Sequence, residues 1–399
     1  MQNFFEIQES LLKNLSEKKR YLYDEIDFSE RLIWIIWARW VWKTTLLLQY
    51  LKQKWKSEKN LYISADNIYF LENTLFDFTK KFVREYEGEL LIIDEIHKYK
   101  NWNQELKNIY DSFVDLKIIF SGSSSLDLKI WNYDLSRRAV LYYLEGFSFR
   151  EYLNFNYDFD FEKISFEDIL QKNYQISSFI SEKLAILKYF KEYLKFWYYP
   201  YFNKKDILEY RKVNETIEKT IFEDISNFYK LHTWNLLFFK KILNYLAINP
   251  PWTININKIA KTLEIDHKTT SFYLEILQKV WLVRFLLKDV YGYNIMKNTS
   301  KIFLDNSVLY YSINYFLNKE VNIWTIRENF VLNQVSNSIK NISYSKVGDF
   351  KIYDYIFEIW WKTKDFSQIK DLKKSYLILD DIIIWQSNKI PIWLFWFLY

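Results

Sequence analysis

The chain has 399 residues, of which 50% are hydrophobic and 26% charged, a balance typical of folded soluble proteins and not of disordered ones. No segment offers the roughly 18 uninterrupted apolar residues of a membrane span, and the first residues lack the layout of a signal peptide, so we expect a cytoplasmic protein without a membrane partner. The absence of cysteine excludes disulfides and thiolate metal sites, and a net charge of +5 permits nucleic-acid binding without arguing for it.

The length predicts two or three domains, preceded by an N-terminal helix and connector over residues 1–30. Helical spacing runs through SLLKNLSEKKRYLYDEI and stops at DFSE. Over residues 31–155, short apolar runs alternate with longer amphipathic ones, which is typical of an α/β domain with a parallel sheet. The expected strands are RLIWII, LYISAD, LLIID and KIIFSG, and the expected helices span about 43–56, 72–86 and 102–114.

A phosphate-binding loop is predicted between the first strand and the first helix of this domain. The pattern GxxxxGK[ST] is met if Trp37 and Trp42 stand for glycine. Main-chain N–H groups would then face the phosphates, Lys43 would reach the β- and γ-phosphates, and Thr44 would bind magnesium. We therefore predict ATP and Mg²⁺ as cofactors. The predicted nucleotide-binding residues are Trp37, Ala38, Arg39, Trp40, Val41, Trp42, Lys43, Thr44 and Thr45.

Glycine is unusually rare in this sequence. Average usage of about 7% predicts about 28 glycines, whereas the chain has 5 glycines and 17 tryptophans. Left-handed turns, helix C-termini and phosphate loops need residues without a Cβ. Six tryptophans stand in contexts typical of glycine: Trp37, Trp40, Trp42, Trp252, Trp360 and Trp361. Trp102, at the start of an amphipathic helix, and Trp393, in an apolar run, are interpreted as genuine.

Our hypothesis is that the gene uses UGA as a glycine codon and that this codon is written here as tryptophan. The richness in Lys, Ile, Asn, Tyr and Phe fits an AT-rich genome, in which such a reassignment is plausible. The alternative is a protein that truly carries these tryptophans, such as a decayed pseudoenzyme. The mass of a native peptide across residues 32–43 distinguishes the two, because tryptophan masses at 37 and 42 would exclude recoding.

A second motif, LLIIDEIHKY, carries two consecutive acids at the end of a predicted buried strand. Asp94 would hold magnesium through water, and Glu95 would orient and polarise the attacking water. Taken alone, the pair would be interpreted as capping the next helix, but its position some fifty residues after Lys43 favours catalysis. We expect Lys43 and Asp94 to meet at the carboxyl ends of adjacent strands.

The middle of the chain is predicted to be helical. Residues 156–230 are aromatic-rich and should form a lid or connecting layer, and residues 231–290 have the helix, turn, helix and strand order of a winged helix-turn-helix. The start of its second helix would face a DNA groove. That segment consists of His267, Lys268, Thr269, Thr270 and Ser271. Its few cations and the nearby Asp266 and Glu275 leave packing between domains as the alternative.

The residues resemble those of bacterial and archaeal AAA-type ATPases that carry a C-terminal domain of unknown function. The resemblance runs over nearly the whole chain, and its segments are DEIHKYKNWNQELKNIYD, FSGSSSLDL, DLSRRAVLYYLEGFSFREYL and FEIWWKTKDFSQIKDL. The last segment looks like FEIGGK in that family, so Trp360 and Trp361 again fall on expected glycines. The resemblance implies an AAA-type P-loop fold.

The same resemblance implies two further roles in the nucleotide site. Ser121, Ser123 and Ser124 would place a sensor near the γ-phosphate. Arg137 or Arg138 would sense the nucleotide of a neighbouring copy, so a homo-oligomer is expected. The alternative is a turn followed by a solvated basic pair.

Residues 291–399 mix short strands with one clear helix and end in the expected apolar strand IPIWLFWFLY. They resemble restriction-endonuclease-like folds, which implies a metal centre built from Asp349, Asp354, Glu358 and Lys362. In an active nuclease the Glu and Lys are usually two residues apart, so that both project to one face. Here they are four apart, which favours an inactive, structural descendant.

Two function classes therefore remain open. One is an ATPase that hydrolyses ATP with magnesium to switch or remodel an unknown protein partner. The other is an ATP-gated DNA-binding or nuclease-related factor.

Overall fold

The computed structural model describes residues 1–37, 41–54, 58–123, 135, 138–201, 206–288, 301–345, 347–361 and 372–399. They divide into two compact units, an N-terminal unit (Met1–Gly146) and a C-terminal unit (Phe147–Tyr399). None of the helices in this described part of the chain is long and apolar enough to cross a membrane.

The N-terminal unit is an α/β domain around one five-stranded sheet. Its strands are β1 (Leu32–Trp37), β2 (Asn60–Ser64), β3 (Leu90–Asp94), β4 (Lys117–Ser123) and β5 (Val140–Leu144). Its helices are α1 (Gln2–Lys13), α2 (Leu22–Glu25), α3 (Lys43–Lys54), α4 (Leu75–Tyr86) and α5 (Trp102–Ser112). The strand order is β2-β3-β4-β1-β5 and every pair is parallel. The predicted parallel sheet is confirmed, whereas β5 was missed.

The strands pair as a parallel sheet because they are continuous apolar runs that are buried on both faces. Residues of β3 from Leu90 to Ile93 are at most 4% exposed. The carboxyl ends of β1, β3 and β4 therefore lie along one edge, which is where open α/β sheets bind ligands. The expectation that β1 and β3 are neighbours is wrong, because β4 pairs with both and lies between them.

The N-terminal helix is shorter than the pattern predicts. Helix α1 ends at Lys13, and α2 begins only at Leu22, although helical spacing continues between them. The side chain of Arg20 explains the break, because it donates to the main-chain oxygens of Val41, Glu145 (2.8 Å) and Gly146 (3.1 Å). These tertiary hydrogen bonds need an irregular backbone over residues 14–21.

The first half of the C-terminal unit is helical, in agreement with the pattern over residues 156–230. The helices are α6 (Phe149–Tyr157), α7 (Phe166–Gln171), α8 (Asn173–Lys183), α9 (Ile186–Phe196), α10 (Ile207–Lys219), α11 (Ser226–Tyr229) and α12 (Thr233–Ile248), with a π-helical turn at Thr220–Ile225. Next come α13 (Ile256–Leu263), α14 (His267–Lys279), β6 (Val283–Leu286) and β7 (Lys301–Leu304). Strands β6 and β7 pair antiparallel. This order matches the helix, turn, helix and strand pattern, and its interpretation as a winged helix stays a prediction.

The unit ends in a mixed sheet. After α15 (Ser307–Phe316) and α16 (Ile323–Ser338), its strands are β8 (Ile342–Ser343), β9 (Phe350–Ile352), β10 (Tyr355–Trp361), β11 (Ser375–Asp380) and β12 (Lys389–Pro391). The order is β12-β11-β10-β9-β8, with β8, β9 and β10 antiparallel and β10, β11 and β12 parallel.

The expected terminal strand IPIWLFWFLY is wrong over most of its length. Strand β12 stops at Pro391, and Ile392–Phe397 form a 3₁₀ helix whose six side chains are all 0% exposed. An apolar run that is buried on every side has no periodicity, so helix and strand cannot be told apart from the sequence.

Candidate nucleotide site

Three charged side chains converge at the carboxyl edge of the N-terminal sheet. Lys43 is the first residue of α3, Asp94 is the last residue of β3, and Glu95 follows it. The Lys43 Nζ atom lies 3.3 Å from Asp94 Oδ1 and also forms an ion pair with Glu95. The lysine and the two acids predicted from separate motifs therefore meet, although β4 separates their strands.

The Asp94 carboxylate is 2% exposed and surrounded by hydrogen-bond donors. Thr44 Oγ1 donates to Oδ2 at 2.7 Å, and the main-chain N–H of Glu95 donates to Oδ1 at 2.9 Å. The Ser121 hydroxyl also donates to Oδ1. Thr44 and Asp94, the two predicted magnesium ligands, are thus in direct contact, and the residues present fit a hydrated magnesium ion.

Tyr62, on β2, is a further residue of this site that sequence reasoning missed. Its hydroxyl donates to Asp94 Oδ2 at 3.0 Å, and its side chain is buried. Burial and the neighbouring Asp94 carboxylate raise the pKa of Tyr62 above its ordinary value. No local motif marks this tyrosine, although its place near the end of the strand before LLIID offers a weak signal.

Glu95 has a strained backbone. Its φ of 53° is in the left-handed region, which a residue with a Cβ rarely adopts. The surrounding hydrogen bonds stabilise it: Lys98 N donates to the Glu95 oxygen at 2.9 Å, and the Glu95 side chain lies 3.4 Å from His97 Nε2. Residues in such conformations cluster at functional sites.

The phosphate loop is described only in part. Ala38, Arg39 and Trp40 lie outside the described residues, as does the side chain of Trp37. Trp42 has a φ of 61°, a left-handed conformation that favours glycine, and its oxygen accepts a hydrogen bond from Leu46 N. Val41 is buried and holds the Arg20 guanidinium through its oxygen, whereas Thr45 is half-buried. Their predicted contacts with nucleotide stay predictions.

The sensor residues are only partly placed. Ser121 contacts Asp94, as described above, whereas the side chain of Ser123 and all of Ser124 and Arg137 lie outside the described residues. Arg138 Nε lies 3.2 Å from Asp111 Oδ1 on α5. Its predicted role toward a neighbouring copy stays a prediction.

The acidic set implied for the C-terminal unit is dispersed. Glu358 is buried on β10, Asp354 is exposed and lies 3.5 Å from Lys374, and Lys362 lies outside the described residues. Asp349 Oδ2 accepts the main-chain N–H of Ile359 at 2.9 Å. No group of three His, Asp or Glu side chains is arranged to hold a metal ion within the part of the chain that the structure describes.

Asp349 instead belongs to a buried ion-pair cluster, consisting of Lys301, Glu328 and Asp349. Lys301 Nζ lies 2.9 Å from Glu328 Oε2 and 3.6 Å from Asp349 Oδ1. Burial, and to a smaller extent Asp349, raise the pKa of Glu328 to about 7, although Lys301 opposes the shift. The ammonium of Lys301 supplies the positive charge beside these two carboxylates.

The tryptophans fall into distinct environments. Trp102 and Trp393, interpreted as genuine, are buried at 6% and 0% exposure. Trp252 is 51% exposed in a short turn, as expected for a glycine position. The expectation that Trp360 and Trp361 lie in a turn without packing partners is wrong. They are strand residues of β10, and they pack against Trp324 and Arg327, respectively.

Trp281 adds a position that the sequence analysis did not single out. Its φ is 58°, and it follows the last turn of α14. Trp281 N donates to the Gln278 oxygen and Leu282 N to the Leu277 oxygen, which is the hydrogen-bond pattern of a Schellman helix end. Glycine is the usual residue at such a position.

Two family models match the chain. Residues 29–153 match the AAA domain, and residues 187–317 match a domain of unknown function, DUF8612. The first segment contains the phosphate loop, Asp94 and Glu95. An AAA domain with a parallel central sheet thus accounts for the N-terminal site.

Two relatives are uncharacterized proteins of Methanocaldococcus jannaschii. The chain is 30% identical to MJ1637 over 305 residues and 24% identical to MJ1544 over 292 residues. Each alignment covers 70% of this chain, and they cover 63% and 60% of the relatives. The chain therefore spans less than two thirds of the length of these relatives.

Solved structures of two other proteins are similar at low level. AMPPCP-bound DnaA from Aquifex aeolicus has 16% identity and a TM-score of 0.26, covering 70% of this chain and 87% of DnaA. The S. cerevisiae Hsp104–ADP complex has 15% identity and a TM-score of 0.32, covering 69% of this chain and 41% of Hsp104. These scores are too low to support an argument about this chain.

Proposed function

We propose that the N-terminal unit binds ATP with magnesium and hydrolyses it, and that the C-terminal unit uses this cycle to switch or remodel a protein partner. One observation supports the proposal most directly. Lys43, Thr44, Asp94 and Glu95 lie together at the carboxyl edge of a parallel sheet, within the residues that match the AAA domain.

The residues have complementary roles in this proposal. Lys43 exchanges its two carboxylate partners for the β- and γ-phosphates of ATP, and this exchange leaves Glu95 available to accept a proton from the attacking water. Thr44 and Asp94 hold the magnesium ion, which neutralises charge on the phosphates. Because Asp94 also accepts hydrogen bonds from Ser121 and Glu95 N, its position is kept when Lys43 leaves.

We further propose that the phosphate loop works with glycine at residues 37, 40 and 42. Left-handed backbone at a residue with a Cβ costs about 1–2 kcal/mol, and both Trp42 and Trp281 adopt it. Two unrelated segments, a loop and a helix end, thus support glycine independently. Indoles in the loop would also occupy the space that the phosphates need.

Calorimetry tests both proposals. The tryptophan chain is the printed sequence, and the glycine chain carries glycine at 37, 40 and 42. We expect micromolar or tighter ATP binding by the glycine chain and little or none by the tryptophan chain. Equal, tight binding by both would contradict the assignment of the tryptophans, and no binding by either would contradict the nucleotide site.

A nuclease-related role is the second candidate, supported by the α16, β8, β9 and β10 order and by buried Glu358. The ion-pair cluster argues against it, because Lys301 already neutralises Glu328 and Asp349. Magnesium-dependent cleavage of plasmid DNA that is lost in Glu358→Ala would favour the nuclease. Unchanged plasmid in both proteins would favour the partner-directed ATPase.

A further inference from the structure

We propose that Tyr62 is a positioning residue of the magnesium site, whose hydroxyl holds the Asp94 carboxylate in the orientation that a hydrated magnesium ion requires. The inference rests on the proposed function, because that proposal assigns magnesium to Asp94. It extends the site to β2, a strand that carries none of the predicted nucleotide-binding or catalytic residues.

Tyr62 reaches Asp94 from the neighbouring strand. In the parallel pair of β2 and β3, Tyr62 lies opposite Ile92, two residues before Asp94. Its side chain extends toward the carboxyl edge and donates to Asp94 Oδ2 at 3.0 Å, the same oxygen that Thr44 contacts at 2.7 Å. The phenol and the threonine hydroxyl thus fix one carboxylate oxygen together.

The main chain of Tyr62 is itself held in place. β2 is an edge strand, and the amide of Gln8 on α1 takes the position of a missing strand partner. Gln8 Nε2 donates to the Asn60 oxygen at 3.1 Å, and Tyr62 N donates to Gln8 Oε1 at 2.6 Å. Gln8 is 0% exposed, so water does not compete for these hydrogen bonds.

The hydroxyl matters because the other donor on Oδ2 has a second task. When Thr44 turns a lone pair toward magnesium, its hold on the carboxylate depends on a single hydroxyl hydrogen. Tyr62 has no such task and remains a donor throughout. Its raised pKa keeps the phenol protonated over the whole pH range of an ATPase assay.

The test is the magnesium dependence of ATP hydrolysis in the glycine chain and in its Tyr62→Phe variant. Loss of a residue that orients a metal ligand typically costs about 10- to 100-fold in metal affinity or activity. We expect the half-saturating magnesium concentration to rise by about 10-fold or more. ATP affinity measured in EDTA should stay within about twofold, because the phenol does not contact the phosphate loop.

Tyr23→Phe is the matched control. Tyr23 is also buried, lies in the same unit, and donates its hydroxyl to Gln53, outside the site. This variant should keep the parental magnesium dependence. A second variant, Gln8→Met, removes the anchor of β2 but keeps the phenol, and should raise the half-saturating magnesium concentration less than Tyr62→Phe does.

The outcomes separate the two proposals. A glycine chain that neither binds nor hydrolyses ATP would contradict the proposed function and this inference with it. An active glycine chain whose Tyr62→Phe variant keeps the parental magnesium dependence would overturn the inference alone. Equal losses of ATP affinity with magnesium and in EDTA would also overturn it, because they indicate a general structural role.

Discussion

Each unit of the molecule holds a lysine between two carboxylates, and the two arrangements differ in how they are built. In the N-terminal unit, Lys43 contacts Asp94 and Glu95, which are consecutive residues at the end of a parallel strand. In the C-terminal unit, Lys301 contacts Glu328 and Asp349, which come from a helix and from the residue before a strand. The residue types are the same.

The surroundings decide what each group can do. Asp94 keeps three neutral donors besides the lysine and a fourth from Tyr62, so its charge remains stabilised if Lys43 moves to a phosphate. Glu328, by contrast, has its pKa raised to about 7 by burial even with Lys301 beside it. The first ion pair is therefore suited to exchange with a ligand, and the second is suited to hold the fold together.

Removing the base sharpens the comparison most. In the glycine chain, Glu95→Gln should keep ATP binding and slow hydrolysis by about 10²- to 10⁴-fold, since a glutamine cannot accept the proton of the attacking water. Single-turnover hydrolysis together with calorimetry measures both quantities. Normal turnover in this variant would remove Glu95 from its assigned role.

Exchanging the two lysines compares the units directly. Lys43→Ala in the glycine chain should weaken ATP binding by about 100-fold, because several charge-assisted hydrogen bonds to phosphate are lost. Lys301→Met should leave ATP affinity within about twofold but lower the free energy of unfolding, because two buried carboxylates lose their partner. If Lys301→Met also abolished ATP binding, the two ion pairs would not be functionally distinct.

The pH dependence of stability probes the buried cluster. Between its ordinary value of 4.5 and about 7, Glu328 holds a proton in the native state that the unfolded chain has released. Stability should therefore fall as pH rises through this window, by about 2 kcal/mol from this group. Urea unfolding at about pH 5 and about pH 8 should show a flatter dependence in Glu328→Gln. The exposed Glu320→Gln is the control, and a parental slope in Glu328→Gln would contradict the assignment.

The left-handed tryptophans give the smallest effect. Trp281→Gly should raise the free energy of unfolding by about 1 kcal/mol, because glycine adopts this backbone without Cβ strain. Trp393→Gly, which empties a fully buried position, should instead lower it by about 3–5 kcal/mol. Denaturant unfolding of both variants checks the contrast. A destabilised Trp281→Gly would weaken the case for glycine at residue 281.

The fold was predictable where local pattern and tertiary environment agree. LLIID and KIIFSG are apolar runs of strand length, and they form β3 and β4 at nearly the expected bounds. Strand β5 was missed because four of its five residues are only half-buried, so VLYYL has no apolar contrast with its neighbours. The terminal IPIWLFWFLY was wrong for the opposite reason, since burial on every side removes the period.

The sequence by itself determined the parallel α/β class of the N-terminal unit and the pairing of Lys43 with Asp94 and Glu95. Both follow from short-range signals, which are apolar runs of strand length and polar residues where a strand ends. Only the tertiary structure decided that β4 separates β1 from β3, that Tyr62 holds Asp94, and that Lys301 lies between Glu328 and Asp349. The physical reason is that these contacts join residues from different elements, and the chain brings such residues together only when its apolar faces pack.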